Sequence, residues 1–147
     1  MPVIERLAQN LFICPSVIAQ HAALACFEPE SIAEYERRRA EFKARRDWFI
    51  PQLQAMGLAV PVVPDGAFYA WADCSEAGAR LASGRGAGQA PMDSWDFAFA
   101  LMREAHVAVT PGRDFGSAET HKFIRFSTAS SLAQLQEAAA RLRTLLG

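Results

Sequence analysis

The fold of this chain is decided by residues 107–127, VAVTPGRDFGSAETHKFIRFS. β-Branched and aromatic residues at both ends of this stretch are typical of strands. Between them, Pro111-Gly112 and Phe115-Gly116 mark turns. The stretch therefore predicts two short strands joined by a compact double turn. One residue breaks the apolar pattern, because Arg125 lies inside the second strand.

Arg125 is open to two interpretations. A guanidinium group in an apolar strand is costly to bury unless an anion meets it, and its planar set of donors suits a carboxylate or phosphate. Arg125 therefore either binds an anionic ligand or has a structural role. In the structural role it would pair with a nearby Asp or Glu, or lie on a solvated strand face. Because structural ion pairs are commoner than ligand sites, the strand alone favours the structural role.

Length and composition limit the class of protein. A chain of 147 residues with 51% apolar and 21% charged residues is typical of one globular domain. The net charge of −1 predicts no general attraction to nucleic acid or to anionic lipid. No apolar run approaches the ~20 residues of a membrane span, and the first residues lack the features of a signal peptide. We therefore expect neither nucleic-acid nor membrane binding.

The cysteine and histidine residues carry no recognisable site. The three cysteines show no Cys-x-x-Cys spacing, which predicts reduced thiols and a cytoplasmic location. His21 and His121 lack the spacing of metal ligands, so no metal site is predicted.

Helical periodicity dominates the first part of the chain. It predicts helices over residues 3–13, from Pro15 to about Phe27, and from Pro29 to about Met56, with Gly57 as the stop. The second helix carries little charge, so we expect it to be buried or to lie at an interface. In the third helix basic residues alternate with acidic ones, which predicts an ion-paired, solvated face.

Strand patterns follow. Residues Leu58–Val63 and Phe68–Ala72 read as strands on either side of the turn Pro64-Asp65-Gly66. The Gly/Ala-rich segment Glu76–Pro91 contains GRGAG but lacks the context of a phosphate-binding loop, so a flexible loop is expected.

The remaining signals are those of helix ends. Asp93 is placed to cap a helix that runs through Ala105, and His106 can take the left-handed conformation at its end. Ser131-x-x-Gln134 is a capping box that opens the last helix. Together these elements predict an α+β fold, a two-layer sandwich of a small, mostly antiparallel sheet with helices packed on one side.

Three stretches resemble one enzyme family. The Arg125-Phe126-Ser127 segment with the upstream TPG and FG turns, the Pro64-Asp65-Gly66-Ala67-Phe68-Tyr69 turn and strand, and the helix start at Ile18–Ala23 occur in the same order in the class I/II pyridoxal-phosphate aminotransferases of fold type I. The chain is similar to the C-terminal, smaller domain of these enzymes. The resemblance implies one domain over residues 1–147, with residues 1–27 connecting it to a cofactor-binding domain outside this sequence.

The resemblance also implies roles for particular residues. Arg125 would hold the α-carboxylate of an amino-acid or 2-oxo-acid substrate, and Gly66 and Phe68 would contribute to the substrate pocket. The family's Schiff-base lysine and most ligands of pyridoxal 5'-phosphate would lie upstream, because Lys43 and Lys122 do not match the lysine motif. We therefore expect no catalytic or cofactor-binding residue here, an inactive isolated chain, and a homodimer when full length.

A second class of function stays open at this point. The chain could be a non-catalytic α+β module that binds a carboxylate through Arg125, or an interaction module that uses its apolar first helices. Which amino acid would be the substrate does not follow from these residues.

Overall fold

The computed structural model describes residues 1–86 and 88–147. In chain order the helices and strands are α1 (Pro2–Leu11), α2 (Val17–Ala25), α3 (Pro29–Ala55), β1 (Tyr69–Asp73), α4 (Ser75–Gly84), α5 (Ser94–Ala100), β2 (Thr110–Pro111), β3 (Phe123–Ser127) and α6 (Leu132–Leu146). A π-helical turn, Leu101–Ala105, continues α5, and 3₁₀ turns at Gly112–Phe115 and Thr120–Lys122 lie between β2 and β3. Within the described residues, no helix has the length and apolar character needed to cross a membrane.

The chain divides into two compact units, Met1–Ala40 and Glu41–Gly147. The first unit contains α1, α2 and the beginning of α3, and its large apolar side chains are mostly exposed: Val3, Ile4, Leu11, Phe12, Ile13, Val17, Ile18 and Leu24. Of the two expectations for α2, burial does not hold within this chain, and a place at an interface stays a prediction. The expectation of a single domain over residues 1–147 stays a prediction.

Helix α3 carries the expected ion pairs. Arg37 and Arg38 each approach the carboxylate of Glu34 to 2.7 Å. The hydrogen bond from Arg37, followed by that from Arg38, lowers the pKa of Glu34 to about 2. The basic residues of this helix are thus paired along an exposed surface, and the prediction of an ion-paired face is confirmed.

The end of α3 is fixed by Gly57. Its φ of +77° is a left-handed conformation that glycine adopts readily. The Gly57 N–H donates to the Gln54 carbonyl at 3.0 Å, and the Leu58 N–H donates to the Leu53 carbonyl at 3.1 Å. These two bonds form a Schellman motif, so the predicted helix stop is confirmed.

The sheet in the described part of the chain has the order β1-β3-β2, and both pairings are antiparallel. Its inner face carries Ala70, Ala72, Ile124 and Phe126, all of which are buried. These side chains share one core with residues from the helices: Phe49, Leu53, Phe97, Leu101, Leu135, Ala139 and Leu142. The predicted α+β fold, with a small antiparallel sheet and helices on one side, is confirmed.

The predicted strand at Leu58–Val63 is wrong. Only Ala59 forms a bridge, to Asp73, whose N–H donates to the Ala59 carbonyl at 2.7 Å. Pro61 has no N–H and cannot extend the ladder, and Val62 beyond it is exposed. The apolar residues at the start of this segment are in the core, but they are not in a strand.

The predicted loop at Glu76–Pro91 is also wrong over its first part, which is helix α4. The segment is rich in alanine, which has the highest helix propensity, and Ala77 and Ala82 are buried in the structure. Arg80 and Glu76 add an ion pair one helical turn apart, at 2.7 Å. The glycines of this segment led to the prediction of a loop. In the structure, the burial of the alanines and the Glu76–Arg80 ion pair outweigh the low helix propensity of glycine. Ala87, within the predicted loop, lies outside the described residues.

The predicted helix ends around α5 are confirmed. The Asp93 carboxylate accepts hydrogen bonds from the N–H groups of Trp95 and Asp96, each at 2.9 Å. The π-helical turn that follows ends at His106, whose φ of +54° is left-handed.

The capping box of α6 is present as predicted. The Gln134 N–H donates to the Ser131 hydroxyl at 3.3 Å, and the Ser131 N–H donates to the Gln134 side-chain oxygen at 3.1 Å.

The turn after β2 depends on a close approach of backbone to Gly112. A Cβ at this buried position would come within 2.3 Å of the Thr120 carbonyl oxygen and 2.6 Å of the Phe123 carbonyl oxygen. Both are backbone atoms next to β3, so they cannot move without displacing the strand. Glycine is thus required here by space.

We predict that Gly112→Ala lowers the free energy of unfolding by about 2 kcal/mol or more, because the added methyl group overpacks the turn. Urea denaturation followed by circular dichroism measures this change. Gly84→Ala is the matched control, since a Cβ there meets nothing within 4 Å. Equal unfolding free energies for the two variants would contradict the steric account.

Candidate functional site

Arg125 lies at the centre of β3, the middle strand. Its Cα is in register with Trp71 of β1 on one side and Thr110 of β2 on the other. Because side chains alternate along a strand, buried Ile124 and Phe126 place Arg125 on the opposite, outer face of the sheet. Because β3 is paired with a strand on each side, the position of the Arg125 backbone, from which the side chain extends, is fixed.

The guanidinium group of Arg125 is in contact with aromatic rings. Its central carbon lies 4.1 Å from the centroid of the Tyr69 ring and 4.3 Å from that of Phe115. The residue is partly buried. Over residues 1–86 and 88–147, no Asp or Glu oxygen forms an ion pair with it and no hydrogen bond to its guanidinium is found. The structural ion pair that the sequence left open is therefore not formed within the described chain.

Tyr69, Trp71, Phe115 and Phe123 form an aromatic wall on the outer face. The ring of Trp71 stacks on Phe123, with centroids 5.5 Å apart, and meets Phe115 edge-on at 5.6 Å. None of these four residues is predicted from the sequence to be part of a site. The alternation of Tyr69 and Trp71 along one strand indicates that these two side chains share a face of the sheet. The approach of Phe115 to them depends on tertiary structure and cannot be read from the sequence.

Phe68 lies beside this wall. Its ring centroid is 4.4 Å from that of Tyr69 and 5.8 Å from that of Phe42, and the side chain is 37% exposed. The Phe68 carbonyl accepts a hydrogen bond from the Thr128 N–H at 2.8 Å. Phe68 and Arg125 therefore both contact the Tyr69 ring, Phe68 through a tilted ring pair and Arg125 through its cation.

Gly66 occupies the loop that leads to β1. The loop is held by Arg46, whose guanidinium donates to the Pro64 carbonyl at 2.8 Å. A Cβ on Gly66 would meet nothing within 4 Å, so the described chain itself places no steric demand for glycine there. The next residue, Ala67, has a φ of +57°, which is unusual for alanine.

The two lysines are engaged elsewhere. Lys43 lies on α3 and pairs with Asp47 at 2.5 Å, and Lys122 pairs with Glu119 at 3.0 Å. The described residues contain no cluster of three potential metal ligands. That the residues holding pyridoxal phosphate lie outside this sequence stays a prediction.

Cys74 joins the ends of β1 and β3. Its N–H and its thiol both donate to the Lys122 carbonyl, at 2.9 Å and 3.2 Å. Burial, with a smaller contribution from the Asp73 carboxylate, raises the pKa of the Cys74 thiol to about 12. The thiol therefore stays neutral at physiological pH and acts as a structural hydrogen-bond donor.

What this arrangement can do chemically is bind an anion. A partly buried guanidinium with unengaged in-plane donors, set beside aromatic rings, suits a planar carboxylate that accepts two hydrogen bonds.

The model of the family described as "Aminotransferase class I and II" matches residues 3–142. The chain belongs to this family. The resemblance stated from Arg125-Phe126-Ser127 and Pro64–Tyr69 is thereby confirmed.

Individual aminotransferases are similar along almost the whole chain. The valine–pyruvate aminotransferase of Mycobacterium tuberculosis is 32% identical over 143 residues, which cover 97% of this chain and 34% of that protein. The aspartate aminotransferase of Bacillus sp. strain YM-2 is 38% identical over 136 residues, or 92% of this chain and 32% of that protein.

Solved structures of aminotransferases also match almost the whole chain. A Methanococcus jannaschii protein described as similar in its active site to kynurenine aminotransferases superposes with a TM-score of 0.81 and 32% identity, covering 99% of this chain and 35% of that one. The Thermus thermophilus aspartate aminotransferase with maleate superposes with a TM-score of 0.76 and 32% identity, covering 99% and 34%. This chain therefore spans about a third of the length of the aminotransferases that it matches.

Proposed function

We propose that this chain is the C-terminal part of a pyridoxal-phosphate-dependent aminotransferase that transfers an amino group between an α-amino acid and a 2-oxo acid. In this proposal Arg125 binds the α-carboxylate of the substrate. The observation that carries it is the guanidinium of Arg125, partly buried on the outer face of the sheet and without an ion-pair partner in the described chain.

The charge and the N–H donors of Arg125 favour a carboxylate ligand. An uncompensated cation in a partly buried strand is unfavourable, and a carboxylate that accepts two parallel N–H bonds compensates both the charge and the donors. The relatives support this choice, because the valine–pyruvate and aspartate enzymes are named for substrates that carry carboxylates. The Thermus thermophilus structure with maleate, a dicarboxylate, also supports it.

Gly66 and Phe68 complete the proposed substrate-binding set. Phe68 is partly exposed next to Tyr69, so its ring can line an apolar wall of the pocket. Gly66 leaves its loop open where a Cβ would project, which permits a ligand to approach the backbone closely.

The remainder of the enzyme supplies the cofactor and its lysine in this proposal. Pyridoxal phosphate acts as the electron sink of transamination when bound. The exposed apolar side chains of residues 1–27 support a connecting role toward a cofactor-binding domain, and we also propose a homodimer of the full-length protein. A cytoplasmic location is consistent with Cys14, Cys26 and Cys74, which are free thiols.

We predict that residues 1–147 alone neither form a stable covalent adduct with pyridoxal phosphate nor transaminate. The reason is that neither Lys43 nor Lys122 matches the lysine motif of the family. The measurement is mass spectrometry after incubation with the cofactor and reduction with borohydride. A stoichiometric phosphopyridoxyl group on either lysine would contradict the proposal that the lysine lies elsewhere.

In the complete enzyme, Arg125→Ala should lower kcat/KM for an amino acid by several hundredfold. The loss of a charge-assisted pair in a desolvated site costs on the order of 3–5 kcal/mol, and each ~1.4 kcal/mol is a factor of ten. Arg125→Lys should recover only part, because an ammonium group lacks the planar set of donors. Steady-state kinetics of the three proteins measures both effects.

The matched substrate control is the decarboxylated amine of the same amino acid. It never uses the carboxylate site, so both variants should change its kinetics far less. Equal losses on the amino acid and the amine would mean that Arg125 supports the fold, and its assignment to the carboxylate would be wrong.

A further inference from the structure

We propose that Tyr69 and Phe115 are positioning residues that hold the guanidinium of Arg125 in the orientation that receives a carboxylate. This inference rests on the proposed function, because it concerns the same arginine. It adds two residues to which the comparisons and the sequence motifs assign no role.

A guanidinium group can make two kinds of contact: with the faces of aromatic rings, and with hydrogen-bond acceptors in its own plane. The central carbon of the Arg125 guanidinium lies over both rings, 4.1 Å from the Tyr69 centroid and 4.3 Å from the Phe115 centroid, within the range of cation–π contacts. Hydrogen bonds to a guanidinium lie in its plane. The rings attract the cation through their faces, and no hydrogen bond within the described residues engages the donors that a carboxylate needs.

The two rings reach Arg125 from opposite sides of β3. Tyr69 is on β1, two positions along from Trp71, the direct neighbour of Arg125, and such diagonal neighbours are within reach of aromatic side chains. Phe115 ends the 3₁₀ turn that follows β2, the other neighbouring strand. The direction of the arginine side chain is thus controlled from both edges of the sheet.

The Phe115 ring is itself supported. Trp71 meets it edge-on at 5.6 Å and stacks on Phe123 at 5.5 Å. The turn that carries Phe115 begins at Gly112, where the close approach of the Thr120 and Phe123 carbonyls limits backbone movement. Phe115 is nevertheless 47% exposed, so its replacement removes little core packing.

The consequence is a site arranged before the ligand arrives. An unrestrained arginine loses side-chain entropy when it is immobilised on a ligand. Contacts that restrict it beforehand reduce that cost and should act mainly on binding. The expected signature is therefore a rise in KM for carboxylate substrates with a smaller effect on kcat.

The test uses the complete enzyme with Phe115→Leu and Tyr69→Leu, each paired with a variant that keeps the ring, Phe115→Tyr and Tyr69→Phe. Removal of either ring should raise KM for the amino acid about three- to thirtyfold, the range expected for one cation–π contact. The ring-keeping variants should restore most of the affinity. For the decarboxylated amine the KM should change less than twofold.

Phe99→Leu is the matched control. Phe99 also lies under an arginine, Arg103, at 5.4 Å, but away from Arg125 on α5. The Phe99→Leu variant should leave the KM for the amino acid unchanged. An equal rise in KM for Phe99→Leu and Phe115→Leu, or for the amino acid and the amine, would overturn the positioning role in favour of general destabilisation.

Arg125→Ala, measured in parallel, distinguishes this inference from the proposed function. If Arg125→Ala impairs only the carboxylate substrate while the two Leu variants behave as wild type, the positioning role is wrong and the carboxylate role stands. If Arg125→Ala shows no preference for the carboxylate substrate, the proposed function fails and the positioning role fails with it.

Discussion

The pairing of β3 on both sides is the constraint on which the core and the candidate site both depend. As the middle strand it is held in register by β1 and β2, so each of its side chains can point to only one of two faces. Ile124 and Phe126 face the helices, and Arg125 faces outward. A shift of register by one residue would exchange these faces. The packing that stabilises the core therefore also presents the guanidinium.

Within the described residues, Arg125 on the outer face is contacted by aromatic rings and not by opposite charge. Within residues 1–86 and 88–147 the guanidinium of Arg125 has no carboxylate partner, and the rings of Tyr69 and Phe115 supply its contacts. Such contacts stabilise a cation while its N–H donors stay available. Family membership supports the proposal that this arrangement binds a carboxylate, because the valine–pyruvate and aspartate relatives are named for substrates with carboxylate groups.

Much of the fold follows from local signals. The Leu58–Val63 strand fails for a local reason, Pro61, whereas the other errors depend on tertiary structure. Arg125 in its strand, the Gly57 helix stop and the Ser131 capping box were all predictable, since each depends on near neighbours in sequence. The sequence of helix α4 contains both alanines that favour a helix and glycines that oppose it, and the burial of Ala77 and Ala82 that stabilises the helix cannot be read from composition. The Phe115 contact was missed for the same reason, since a turn brings it to Arg125 only in three dimensions.

The most direct test of the central claim is a crystal structure of the complete enzyme with maleate, the dicarboxylate present in the Thermus thermophilus structure. The account predicts that one maleate carboxylate accepts hydrogen bonds from two guanidinium nitrogens of Arg125, each at about 2.7–2.9 Å. Maleate bound at another position, with Arg125 paired to an Asp or Glu from the rest of the enzyme, would contradict it.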